Sequence, residues 1–334
     1  MPPRLLKLIN SDRLKNIENN EQYSQQYEGE KANASEFLLC NIVERADLEE
    51  VMNRLIVIKG AGDLATGIAH RLFRSGFQII MTELAQPTVI RRTVSFAEAV
   101  FNGATVVEGV MAVKTEINKA AQIVSEGKIA VVIDAEATVV EMYRPWGVVD
   151  AILAKRNLGT QIGDAPVVIG VGPGFTAGVN VHAVVETKRG HYLGQVITKG
   201  QALPDTGIPG EIGGYTQERI LRAPCQGVFH SICRIAQQVK AGDIVAQVNG
   251  LPVRAAISGV LRGLLRDGLA VTAGLKVGDI DPRGVPEHCY TISDKARSVG
   301  GGVLEALFML GRWPEDTLFR NHRPVVDQVA AINQ

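Results

Sequence analysis

The sequence predicts an α/β protein: a Rossmann-like doubly wound parallel sheet, then a small β barrel-sandwich module of the biotinyl/lipoyl type, then a C-terminal helix. Three observations carry this. Apolar β-branched runs alternate with helical patterns from residue 54 onward, the glycine turn GAGDLATG (60–67) joins the first run to the first helix, and residues 222–248 lie without a gap on residues 254–280. Continuous apolar strands separated by helices mark a parallel sheet covered on both faces.

Residues 1–51 are rich in Asn, Glu, Lys and Gln and hold no sustained apolar period, so they read as a flexible extension, with the natural start expected at Met52. Residues 52–178 form the expected nucleotide-binding domain. Its strands are LIVI (55–58), QIIM (78–81), ATVV (104–107), IAVVID (129–134), VDAILA (149–154) and PVVIGV (166–171), with helices over 64–75, 94–102 and 115–126. Residues 179–220 read as two strands around KRGH, followed by the Gly/Pro-rich connector GQALPDTGIPGEIGGYT.

Residues 221–283 carry the repeat. Nine of its 27 aligned positions are identical, among them Gly227 with Gly259, Val239 with Val271 and Gly242 with Gly274. Two strand-rich halves of this kind complete one another's core. In carrier domains the modified lysine projects from the junction of the halves, and here the junction VNGLPV has none, so the module reads as structural. Residues 284–334 hold a helix over 296–310 and a tail.

Lys+Arg and Asp+Glu both number 35, which gives no electrostatic footprint for nucleic acid or an anionic membrane. No apolar run approaches the ~20 residues that span a bilayer, and a cytoplasmic protein is expected. Cys40, Cys225, Cys233 and Cys289 form no CxxC pair and read as small buried apolar side chains. His182, Glu186 and His191 lack the spacing of a ligand set, so no metal is expected, and GxSxG is absent.

The glycine turn carries the chemistry. Gly60 and Gly62 leave backbone bare directly after a strand, Asp63 opens the helix and Ala65 allows close packing, while Glu83 ends the second strand 21 residues after Gly62. Helix amides favour a pyrophosphate and a terminal acid accepts ribose hydroxyls, so a dinucleotide-type site is expected. The alternatives are the same packing without a ligand, or another nucleotide-bearing cofactor. Asp134 ends the fourth strand, Lys155 and Arg156 follow the fifth, and Gly172 and Gly174 form a turn after the sixth. All would converge on the crevice beyond the strand ends. Ser293 and Asp294 are N-cap candidates, and Lys295 and Arg297, beside a glycine run, are candidates for an anion.

With GAGDLATGIAHRL, MTELAQPTVIRRTVSFAEAV, AKRNLGT, TGIPGEIGG and ISDKARSVGGGVLEA on the page, the chain resembles the YqeB family of the selenium-dependent molybdenum hydroxylase system, over about residues 52–311. The resemblance implies an accessory or maturation role for such a hydroxylase and carries over no catalytic residue. Its first domain is similar to that of xanthine dehydrogenase accessory proteins, which bind and deliver the molybdenum cofactor. The implied ligand is NAD(P) or the molybdenum cofactor, and the implied partner an apo molybdenum hydroxylase. The alternative is an NAD(P)-dependent oxidoreductase.

Overall fold

A computed structural model describes residues 54–311 of the chain. The expectations for residues 1–51, for Cys40 and for the tail after 311 lie outside the described residues. Strand β1 (Leu55–Lys59) is buried along its whole length and leads through the glycine turn into helix α1 (Asp63–Arg74). There follow β2 (Gln78–Glu83), α2 (Ala99–Asn102), β3 (Ala104–Val107), β4 (Val110–Thr115) and α3 (Ala120–Ser125). Next come β5 (Ile129–Ile133), α4 (Val139–Tyr143), β6 (Gly147–Asp150), β7 (Val167–Val171), β8 (Ala183–Val185) and β9 (Val196–Ile197). These strands make one sheet in the order β3-β4-β5-β2-β1-β6-β7-β8-β9.

The expected doubly wound parallel sheet is corrected here. The sheet is mixed, with β3 antiparallel to β4 at one edge and β9 antiparallel to β8 at the other. The first reversal is made by Glu108 and Gly109, both at positive φ, a two-residue turn whose twist suits a hairpin. ATVVEGVMAVKT therefore folds back on itself where the sequence pattern showed one strand. The side chains of β1 alternate between two cores. Ile56 and Ile58 face α1 and the last helix, while Leu55 and Val57 face Val124 and Phe175.

The repeat region folds into β10 (Ile220–Arg222), β11 (Gly227–Ser231), β12 (Gln238–Val239), β13 (Ile244–Val248), β14 (Leu251–Arg254), β15 (Gly259–Leu264), β16 (Ala270–Val271) and β17 (Lys276–Asp281). Equivalent strands of the two halves exchange short partners, since β12 pairs with β15 and β16 with β11. The expected biotinyl-type module is also corrected. What forms is a pair of four-stranded antiparallel sheets, β10-β17-β15-β12 and β14-β13-β11-β16, around Phe229, Leu261 and Ile280. Strands β10 and β14, which end on the aligned pair Arg222 and Arg254, add the fourth member of each sheet, so that each sheet takes two strands from either half.

Helix α5 (Asp294–Leu310) packs along α1. Its glycine run serves this approach, because a Cβ on Gly300 would stand 3.0 Å from the carbonyl oxygen of Gly67. The segment after β2 is sewn to the β module. Leu264 donates its amide to Ile90, Arg92 Nε donates to the Leu264 carbonyl at 2.8 Å, and Arg266 meets Glu98 at 3.0 Å while lying over the ring of Phe101. A large buried surface alone fixes no orientation between a sheet and a module, and these directional bonds do.

Candidate functional site

The glycine turn has the local geometry that its sequence requires and an occupied surround. Gly60 stands at φ +92, and a Cβ there would lie 3.2 Å from both the Ala151 oxygen and the Ile152 Cα, so the missing side chain admits the chain after β6. Gly62 caps α1 from an extended conformation without a side-chain bond, under Val89. Glu83 is engaged by its own neighbourhood: Oε2 accepts from Ala61 N at 3.0 Å and Oε1 from Leu84 N at 2.8 Å. Burial pushes its carboxyl above the ordinary range, and the two amide bonds pull the other way. Ala65 is buried in the sheet core.

The remaining predicted residues divide. Asp134 caps α4, accepting from Val139 N at 2.9 Å and from the Thr138 hydroxyl, and does not line the cavity described below. Gly172 makes room for the side chain of Thr187, and Gly174, at φ +110, lies over the backbone of Arg156, 2.7 Å from where its Cβ would be. These glycines are spent on contacts within the protein. Lys155 pairs with Asp205 at 2.5 Å and lines the cavity, while the side chain of Arg156 is outside it. His182 accepts from Val168 N through Nδ1, which is a structural bond. Arg297 is taken by Glu108 at 2.6 Å, and Ser293 caps α5. Among the described residues no three or more His, Cys, Asp or Glu side chains gather into a metal-binding group.

One cavity of about 550 Å³ collects Asp63 at the start of α1, Lys155, the loops 187–189 and 203–210, the strands β10, β15 and β17, and Lys295 of α5. That volume is in the ordinary range for small-molecule sites, about 300–1,000 Å³. Its charge is unbalanced. Nine Lys and Arg residues line it, against three aspartates, Asp63, Asp205 and Asp279. All three aspartates already have a cation: Asp63 faces Arg91, Asp205 faces Lys155 and Asp279 faces Arg219. Desolvation by the cavity walls lowers the ammonium pKa of half-buried Lys295 and, tempered by water because its side chain is exposed, of Lys276; Arg219 and Arg222 at Lys276 and Arg189 at Lys295 add to the effect, and Asp63 opposes it at both. Neither lysine has a hydrogen-bond or ion-pair partner among the described residues.

Two buried networks shape this cavity, and neither is evident from spacing. Glu186 is 2% exposed and accepts from Thr187 N and Lys188 N at 2.7 Å and from Leu203 N at 2.8 Å, so one carboxylate ties both cavity loops. Lys59 donates to Thr160 Oγ1 at 2.7 Å, and that hydroxyl donates to Asp150 Oδ2 at 2.6 Å, which pins the KRNLGT loop across β1 and β6. Arg189 adds a bidentate pair to Asp294, fastening the loop after β8 to the start of α5.

Fold and cavity together define an α/β protein with a cationic cleft at the joint of a mixed sheet and a paired-sheet module. Over 259 residues, 77% of this chain, it is 51% identical to the "Uncharacterized protein YqeB" of Escherichia coli (strain K12), which supports the YqeB family and leaves the selenium and molybdenum role without support from this likeness. The chain spans about half the length of that relative, 48%. No family model matches the chain. Among solved structures it aligns with an aspartoacylase family protein from Mesorhizobium loti (14% identity, 68% of this chain and 83% of that one, TM-score 0.22). It also aligns with a succinylglutamate desuccinylase from Silicibacter sp. TM1040 (14%, 68% and 84%, 0.21) and a succinylglutamate desuccinylase/aspartoacylase from Rhodobacter sphaeroides (12%, 67% and 86%, 0.20). TM-scores this low carry no argument about fold or activity.

Proposed function

We propose that the protein is an accessory factor that binds a phosphate-bearing small molecule, a nucleotide or the pterin of the molybdenum cofactor, in the cationic cavity. In this reading it serves the maturation of a selenium-dependent molybdenum hydroxylase, acts in the cytoplasm, and its partner is the apo-hydroxylase. The observation that carries the binding half is the set of nine cations against three already-paired aspartates around one cavity. Arg and Lys excess of this kind suits the oxygens of a phosphate. The maturation half rests on the motif resemblance to the YqeB family. Among the described residues no helix is long and apolar enough to cross a membrane.

The oxidoreductase alternative draws less support. Each Glu83 oxygen already accepts from a backbone amide, which leaves a ribose only the second lone pair of each. The test is mass spectrometry of the small molecules that stay with the protein when it is purified from cells making an active selenium-containing hydroxylase. A retained pterin or nucleotide is expected. Protein that emerges free of both, from cells where its deletion leaves the hydroxylase fully active, defeats the proposal.

A further inference from the structure

Resting on that reading, and deepening it, we infer that the ligand presents a phosphoric ester or anhydride with at least two negative charges, of the nucleoside-diphosphate class, and that this group seats on the β10–β15–β17 wall at Arg222, Arg262 and Lys276, with Lys295 supplied by α5. The seat is thus distinct from the glycine turn at the start of α1.

Three independent features lead there. Arg222 and Lys276 are direct cross-strand partners in the β10–β17 register, and like charges placed opposite one another destabilise a sheet. Neither has a carboxylate partner, since Arg222 donates only to the Gly274 carbonyl at 2.9 Å. Arg262 is 6% exposed, and its nearest carboxylate, Asp281 at 3.8 Å, is already held by Arg283 through Nε at 2.9 Å and a second nitrogen at 2.6 Å. Buried arginines ordinarily have their donors satisfied. Among the described residues five buried side-chain polar atoms lack a partner, and three of them are the Nε atoms of Arg91, Arg219 and Arg262, residues of this cavity whose outer guanidinium nitrogens, not the enclosed Nε, are the ones a ligand can meet. An anion with several acceptor oxygens is the missing counterpart of such a wall, and one charge would leave most of it uncompensated.

The other end of the cavity is less suited to that group. Asp63 occupies the first position of α1 and lines the cavity, so a carboxylate stands where a helix-bound diphosphate would place its own charge. The depressed ammonium pKa values of Lys276 and Lys295 fit the same picture, because a bound anion restores them and binding takes up protons.

The test titrates the full-length chain calorimetrically with inorganic pyrophosphate, ADP, AMP and adenosine at several salt concentrations. Pyrophosphate and ADP should bind, more weakly as salt rises, and adenosine should not. Lys276→Gln and Lys295→Gln should each weaken ADP by about tenfold or more, the loss of one charge-assisted contact. Lys128→Gln, remote from the cavity, should leave binding unchanged. Lys276→Gln should melt no lower than the parent without ligand, since it removes a like-charge pair, so weakened binding cannot be attributed to misfolding. Equal affinity for adenosine and ADP, no binding of either phosphate compound, or unchanged affinity in both glutamine variants overturns the inference. If a pterin or nucleotide co-purifies yet binds both variants like the parent, this seat is wrong and the accessory reading stands.

Discussion

Glu186 offers the sharpest test of how the cavity is built, because one buried carboxylate holds two of its loops. Its Oε1 accepts from Thr187 N and Lys188 N and its Oε2 from Leu203 N, all within 2.8 Å. Hydrogen bonds to a charged group contribute about 1.5–3 kcal/mol each, offset by a desolvation cost of several kcal/mol for the buried carboxylate. In Glu186→Ala the offset disappears together with the bonds, but shielded amide donors are left without acceptors at about 1–3 kcal/mol each. Lys188 and Leu203 are exposed and water can satisfy their amides, which leaves Thr187 as the one shielded donor and a net loss of about 1–3 kcal/mol. Glu186→Gln keeps one carbonyl oxygen and turns an amide NH₂ toward a second donor, so about 1–2 kcal/mol should be lost. Urea unfolding measures the totals, and amide hydrogen exchange at Thr187 and Leu203 locates them. A Glu186→Ala protein within about 1 kcal/mol of the parent, with both amides still protected, would refute this account of the loops.

Further outcomes follow from the same geometry. Gly174→Ala places a methyl group 2.7 Å from the Arg156 backbone at φ +110, and should cost about 3 kcal/mol or more of ligand-free stability in thermal unfolding, marking the position as packing. Glu83 has its carboxyl pKa raised by burial, so the folded protein binds more protons than the unfolded one between the ordinary and the raised value. Stability should therefore fall as pH climbs through that window, and Glu83→Gln should flatten the slope in a pH series of melts. Asp294 behaves oppositely. Its bond to Arg189 holds the pKa below the usual carboxylate range, so its contribution is present above that range and fades as pH drops through it. With 70% of the Asp294 side chain exposed, Asp294→Asn should cost only about 1 kcal/mol or less at neutral pH.

Much of the sheet was legible because its signal is local. LIVI, QIIM, IAVVID and PVVIGV are continuous apolar runs, and all four lie within or beside observed strands β1, β2, β5 and β7. The edges were illegible for a physical reason. At β3–β4 the reversal needs only Glu108 and Gly109, and a two-residue turn inside an apolar stretch leaves the period intact. The paired sheets of the repeat were misread because an alignment shows which residues are equivalent and not which strands pair, and here β12 pairs with β15 and β16 with β11, across the halves. Of the candidate site, Asp63 and Lys155 do line the cavity, but Glu83, Asp134, Gly172 and Gly174 serve contacts within the chain. The cations that dominate the cavity come from Arg91, Arg219, Arg222, Arg262 and Lys276, scattered across 186 positions of an electrically neutral sequence. Only the pairing of β10, β15 and β17, and the docking of the segment after β2, bring them together.

Arg91 donates to the carbonyls of His288 and Thr291 while facing Asp63, so a residue of the cavity wall is also a fastener between α1, the segment after β2 and the approach to α5. Arg219 likewise bonds Asp279 on β17 and the Gly210 carbonyl of the cavity loop. A ligand that neutralises this wall relieves repulsion among groups already tied to three separate parts of the chain. It binds only the assembled form, so it stabilises by mass action in proportion to RT ln(1 + [L]/Kd), about 2.7 kcal/mol at a hundredfold excess over Kd. Repulsion among the cations without a carboxylate partner, Arg222, Lys276 and Lys295, opposes the joint between sheet and β module in the free protein, and these positions would return that stability on binding. Stability and affinity should therefore move in opposite directions when the unpaired cations Lys276 and Lys295 are removed one at a time, whereas removing Arg91 or Arg219, whose bonds fasten the chain, should lower both.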